Sequence, residues 1–122
     1  MKMLNSEIYT YASALVESFQ DSTQRLPIKV NFYLMKNKET LSTLAREIEQ
    51  SRIDIIKAHA NVDDEGNYNI TDKKELVIAQ NELNELLALE QEVQIYKVDI
   101  DNFPDDIVLT TGQMEALMFM IN

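Results

Sequence analysis

The sequence predicts a mainly α fold: an antiparallel long-helix hairpin packed by short N- and C-terminal helices, with a small β element near residues 94–100. Three observations point there. Only two Gly and two Pro interrupt 122 residues, so helices run unbroken and hairpin turns are scarce. Apolar residues recur at helical spacing over most of the chain. The two longest helical patterns are joined by a short polar link, Asn61 to Asp72, and a short link folds neighbouring helices back on each other.

The first helix starts at Asn5 or Ser6, both good N-caps, and aligns Ile8, Tyr11, Ala12, Leu15 and Phe19 on one face. Its end is expected in the polar stretch Gln20 to Gln24. In L-P-I-K-V-N-F-Y-L, the alternation of Ile28, Val30 and Phe32 would suit a strand, but Pro27 equally suits the first turn of a helix. The helix is preferred, because Leu34, Leu41, Ile48 and Ile55 then continue at seven-residue intervals to about His59. A third helix opens at Asp72, where D-K-K-E fits a capping box, and carries Leu76, Ala79, Leu83, Leu86, Leu87 and Val93. Glu90 lies in line with Leu76 and Leu83, and is expected to pair at the hairpin edge near Lys38 or Ser42. After Val93 the alternation of Tyr96, Val98 and Ile100 predicts a strand. Its candidate partners are 107–109, 68–70 and 28–32. Thr110 and Gln113 form a T-x-x-Q capping box for a final helix bearing Met114, Leu117, Met118 and Ile121, with Phe119 and Met120 making its other side apolar. A helix apolar all round is either buried or an interface.

The length suits one domain, residues 1–122, and 45% hydrophobic with 26% charged residues is ordinary for a folded chain. The absence of cysteine excludes disulfides, cysteine-ligated zinc and thiol catalysis. Neither a signal peptide nor a membrane span is expected, and the expected location is cytoplasmic. Charge is unevenly placed. Residues 1–60 carry a net of +1 and residues 61–122 a net of −11. Such a field repels phosphate backbones, so direct nucleic-acid binding is disfavoured, whereas an acidic half can dock on a basic protein surface.

Little here suggests catalysis. The single histidine, His59, falls at the end of the second helix, where the helix dipole favours a cation. Gly66 and Gly112 are too isolated to cradle phosphate. No catalytic residue and no cofactor is predicted. The stretch N-V-D-D-E-G-N-Y-N-I-T-D does share the outline of a calcium-binding loop. With Gly66 at the sixth position, Asn61, Asp63, Glu65, the Asn67 carbonyl, Asn69 and Asp72 form the ligand series. Asn at position one, Tyr68 at position eight and Asp at position twelve depart from that pattern, and Asp72 is also wanted as a helix cap. The preferred reading is a polar interhelical turn, with Tyr68 and Ile70 in a short strand. Asp63, Asp64 and Glu65 then become a candidate contact for a basic partner.

Three segments, N-F-Y-L-M-K-N-K, E-L-N-E-L-L-A-L-E-Q-E-V and L-T-T-G-Q-M-E-A-L-M-F-M-I, resemble small acidic proteins encoded by bacteriophages and prophages of low-GC bacteria. The resemblance implies a viral gene and a protein–protein role, and transfers no site residues. Two functions are therefore expected. One is a virion-associated or assembly protein that self-associates as a homo-oligomer through Met114, Met118 and Phe119, since methionine makes adaptable contact surfaces. The other is an inhibitor whose acidic half occupies a basic surface of a host protein.

Overall fold

A computed structural model describes residues 1–19 and 26–122. Lys2–Leu4 forms a short strand, β1, that runs directly into helix α1, Asn5–Ser18. The cap position is Leu4 rather than Asn5, because the Glu7 carboxylate accepts the Leu4 N–H at 2.9 Å. The Asn5 side chain turns instead toward Leu86 and Gln91. Helix α1 buries Ile8, Ala12 and Leu15. The expected helix end at 20–24 lies outside the described residues.

Pro27 caps helix α2, Ile28–His59, and its carbonyl accepts the Asn31 N–H. At about 1.5 Å per residue this helix is roughly 48 Å long. Its buried positions are Val30, Leu34, Asn37, Leu41 and Ile48, so the burial stops well before the helix does. Beyond Ile48 the helix packs on α3, Lys73–Ala88, whose one fully buried residue is Ala79. The outer half of this helical hairpin is therefore an arm. At its tip, strands β2 (Asn61–Val62) and β3 (Tyr68–Asn69) pair antiparallel.

Helix α3 ends at Ala88, five residues short of Val93. Residues Glu90–Glu92 leave the helix as strand β4, pairing antiparallel with β1 in the register Lys2↔Glu92, Met3↔Gln91, Leu4↔Glu90. Glu90 is accordingly an exposed strand residue opposite Leu4, and the expected pairing near Lys38 or Ser42 is not formed. The strand expected at 96–100 is also absent. Val98 makes a lone parallel bridge to Ile121, and none of the anticipated partners is used. The reason is local: the Asn37 side chain accepts the Tyr96 N–H and donates to the Tyr96 carbonyl, both at 2.8 Å. One amide thus supplies what a neighbouring strand would have supplied. After a 3-10 turn at Ile100–Asn102, helix α4 (Thr111–Leu117) passes into a second 3-10 turn, Met118–Met120. The Thr110–Gln113 capping box forms as the motif implies.

The core unites α1, the first half of α2, β1, and the C-terminal turn. Met3, Ile8, Leu15, Val30, Leu41, Val93, Val98, Leu117 and Met120 are almost wholly buried within one cluster. Each such side chain contributes on the order of 1.5–3 kcal/mol through burial. Three buried amides then tie chain ends to it. Asn5 donates to the Leu86 carbonyl at 2.8 Å and accepts from Gln91, which ends α3 beside β1. Gln113 donates to the Ser18 carbonyl, satisfying the last turn of α1. Asn37 completes the set. On the outside of α1, the Tyr9 hydroxyl donates to the Glu49 carboxylate, which also takes two hydrogen bonds from Arg52. Those Arg52 hydrogen bonds hold the Glu49 carboxyl below its usual range.

Candidate functional site

Two surfaces emerge as candidates, one polar and one apolar. The polar one is the tip of the arm. Gly66 takes φ +83°, the left-handed conformation that glycine adopts without steric cost, and this closes the turn between β2 and β3. Asp63 organises that turn: its carboxylate accepts the Glu65 N–H at 2.9 Å, the Asn67 N–H at 2.8 Å and the Asn69 amide at 3.3 Å. The Asn67 carbonyl accepts the Asp63 N–H, and Asn61 donates to the Thr71 hydroxyl. Asp72 caps α3 through the Lys74 and Glu75 N–H groups. The candidate calcium ligands thus hold the hairpin and the helix start together, Asn67 through its backbone groups, and among the described residues the Glu65 carboxylate takes no part in this. Among the described residues, no three His, Cys, Asp or Glu side chains gather closely enough to hold a metal ion. Asp64 and Glu65 point outward as an acidic tip, whereas Asp63 is a structural residue of the turn.

Behind the tip, His59 ends α2 and bridges to α3. Its Nδ1 lies 2.5 Å from Glu75 and its Nε2 lies 3.0 Å from Glu82. The hydrogen bonds to Glu75 and then Glu82 raise the His59 pKa above its usual value, because both carboxylates favour the imidazolium. This clasp joins the two helices where α3 buries almost nothing else.

The apolar surface lies at the opposite end of the chain's path. Ile100, Phe103, Ile107, Val108 and Leu109, with Met114, Leu117, Met118 and Ile121, line an open groove of about 820 Å³. Met114 and Met118 are 56% and 68% exposed, while Val108 is 76% exposed. The helical face expected to hold Met114, Leu117, Met118 and Ile121 together does form, since all four line the groove. Leu117 also belongs to the buried core with Ala116 and Met120, while the two methionines stay exposed. Phe119 does not belong with them: it is buried, stacked on Tyr11 with ring centroids 4.8 Å apart. It is corrected from a contact residue to a core residue.

Among the described residues, Thr111 and Glu115 are the groove's only polar lining residues. The lining residues at 100–109 were missed as a site because 107–109 reads as a strand partner. Their signal is present in the sequence, as Phe103, Ile107, Val108 and Leu109 following the alternating Tyr96, Val98 and Ile100 with no helical period of their own. A second apolar feature was missed for a different reason. Ile28, Phe32 and Met35 are 90%, 52% and 60% exposed on α2, on the side opposite Val30, Leu34 and Leu41.

With this geometry in view, comparison of the chain with protein-family models, curated proteins and solved structures finds no match. Among the described residues no helix is long and apolar enough to cross a membrane.

Proposed function

We propose that this is a non-enzymatic bacteriophage or prophage protein that works through protein–protein contact, in the virion or during its assembly, by self-association. The observation that carries this reading is the exposed methionine-walled groove. Isolated exposed apolar residues are ordinary, but a contiguous apolar concavity marks a place where another molecule binds. Flexible thioethers suit a protein partner whose side chains must be accommodated without rigid prior fit. The scarcity of polar lining supports binding over catalysis. The viral origin and the location in an infected bacterial cell rest on the sequence resemblance.

Affinity capture from infected cells, comparing the native chain with Met114→Glu/Met118→Glu, tests this. A defined protein, or the chain itself, should be retained by the native bait and lost with the variant. Equal retention by both baits would remove the groove from the function.

The acidic tip favours a second reading, inhibition of a basic host protein. Asp64 and Glu65 project from the end of an arm within a half-chain of net charge −11. Docking of that kind weakens as salt rises and as Asp64→Ser/Glu65→Ser removes charge. Capture indifferent to both would set this reading aside.

A further inference from the structure

The groove and the exposed stripe on α2 complement each other, and we infer that the α2 stripe of a second copy of this chain occupies the groove. This deepens the self-association reading above and rests on it. Ile28, Phe32 and Met35 are spaced i, i+4, i+7, the pattern by which an amphipathic helix lays its anchors into an apolar groove. All three are exposed, and the first turns of α2 offer them at the end of a long rigid helix.

Charge complementarity selects the occupant. Residues 28–38 carry Lys29, Lys36 and Lys38 and no acidic residue. The groove is built from residues 100–121, and the stretch 99–122 carries Asp99, Asp101, Asp105, Asp106 and Glu115 with no Lys or Arg. All five carboxylates are exposed. A partner helix for this groove must therefore be apolar on one face and basic beside it, and the chain itself supplies such a helix. Lys36 already lies 5.6 Å from the Phe32 ring centroid and Lys29 lies 5.7 Å from that of Tyr33, so cations flank the stripe.

The chain cannot satisfy its own groove. Val30, Leu34 and Leu41 enter the same core cluster as Leu117 and Met120, so the stripe on the other side of α2 faces away from that core. Donor and acceptor surfaces use different residues, so each copy offers one of each. The contact is heterologous, and assembly ends in a closed ring, a reciprocal dimer or an open chain.

Light scattering with size-exclusion chromatography on the full chain tests this, across concentration and salt. The native chain should exceed the monomer mass, and its dissociation should rise as salt goes from about 0.1 M to about 1 M, where the Debye length falls from about 10 to about 3 Å. Met114→Glu/Met118→Glu removes the groove, and Phe32→Glu/Met35→Glu removes the stripe. Each should weaken self-association at least about tenfold, as loss of central anchors does. All four positions are exposed, and circular dichroism with a melting curve confirms that each variant is folded.

The decisive arm mixes the two variants. Each retains the surface the other lacks, so the mixture should form a one-to-one heterodimer although neither variant associates alone. A native chain that stays monomeric at high concentration overturns the inference. So does self-association that persists in either variant alone, which would place the contact elsewhere. If the native chain is monomeric but the groove variant still loses a captured protein, this inference falls while the contact function stands; if capture is also unchanged, both fall.

Discussion

Asn37 shows how one side chain redirects a segment. It lies on the buried face of α2 in step with Val30, Leu34 and Leu41, where an apolar residue is the rule. Its amide pairs both backbone groups of Tyr96, so the chain at 96 is held without a strand neighbour, ahead of the bridge that Val98 makes to Ile121. Asn37→Leu leaves those two groups without a partner inside the protein. An unsatisfied buried group costs about 1–3 kcal/mol, but Tyr96 is partly exposed and water recovers some of this. The expected loss is about 2 kcal/mol in urea unfolding at unchanged m-value; a loss below about 0.5 kcal/mol would mean the amide is dispensable. At the tip, Asp63 and Asp64 are neighbours with opposite roles. Asp63→Ala should speed amide exchange at Glu65 and Asn67, since both N–H groups lose their acceptor. Asp64→Ser should leave those amides unchanged. Equal effects from the two substitutions would contradict the turn geometry.

At the scale of elements, what the sequence made legible was local. Long α2, the Asp72 start of α3 and the Thr110–Gln113 cap each depend on residues within a few positions of one another. The short strand expected at Tyr68 and Ile70 forms at Tyr68–Asn69, but the β element expected at 94–100 was misplaced, because β1 and β4 pair across nearly the whole chain and Glu90–Glu92 has no strand pattern of its own. Of the apolar candidate site, Met114 and Met118 were readable from helical spacing. Phe119 was not, since only the tertiary position of Tyr11 decides that it is covered. Calcium-like spacing in the link likewise reflects hairpin chemistry, with Asp, Asn and Gly serving turn and cap.

The α2–α3 hairpin also carries the clearest pH dependence. His59 has a raised pKa when folded, through Glu75 first and Glu82 second, so its contribution favours the folded state in the protonated form. That contribution is fully present below the unfolded value of about 6.5, and fades as pH rises through the higher folded value. His59→Gln should therefore flatten the fall in hairpin stability above pH 6.5 while leaving the core unchanged. A pH profile in that range identical to the native one would show that the clasp does not contribute.

For the molecule as a whole, burial divides α2 into an anchored and a projecting part, and stability should follow that division. All the fully buried residues of α2 lie at or before Ile48, and they pack against α1, the Val98 segment and the C-terminal turn. Past that point the arm has Ala79 as its buried residue, the His59 clasp and a hairpin of two-residue strands. Leu76, Val77 and Ile78 stay exposed on α3. Segments with few buried apolar contacts open at lower free energy than the core, so native-state amide exchange should be faster over 50–59 and 73–80 than over 30–48. Lowering the pH through the His59 titration should slow opening of the arm relative to the body, since protonation tightens the clasp. Raising protein concentration should act elsewhere: if copies associate by stripe and groove, protection rises over the first turns of α2 and over α4, and the arm keeps its own rates. Exchange measured by mass spectrometry at two pH values and two concentrations separates these effects. Uniform protection along α2 would mean that the arm is braced by something beyond the contacts seen here. Concentration-dependent protection confined to the arm would move the self-association surface from the groove to Leu76, Val77 and Ile78.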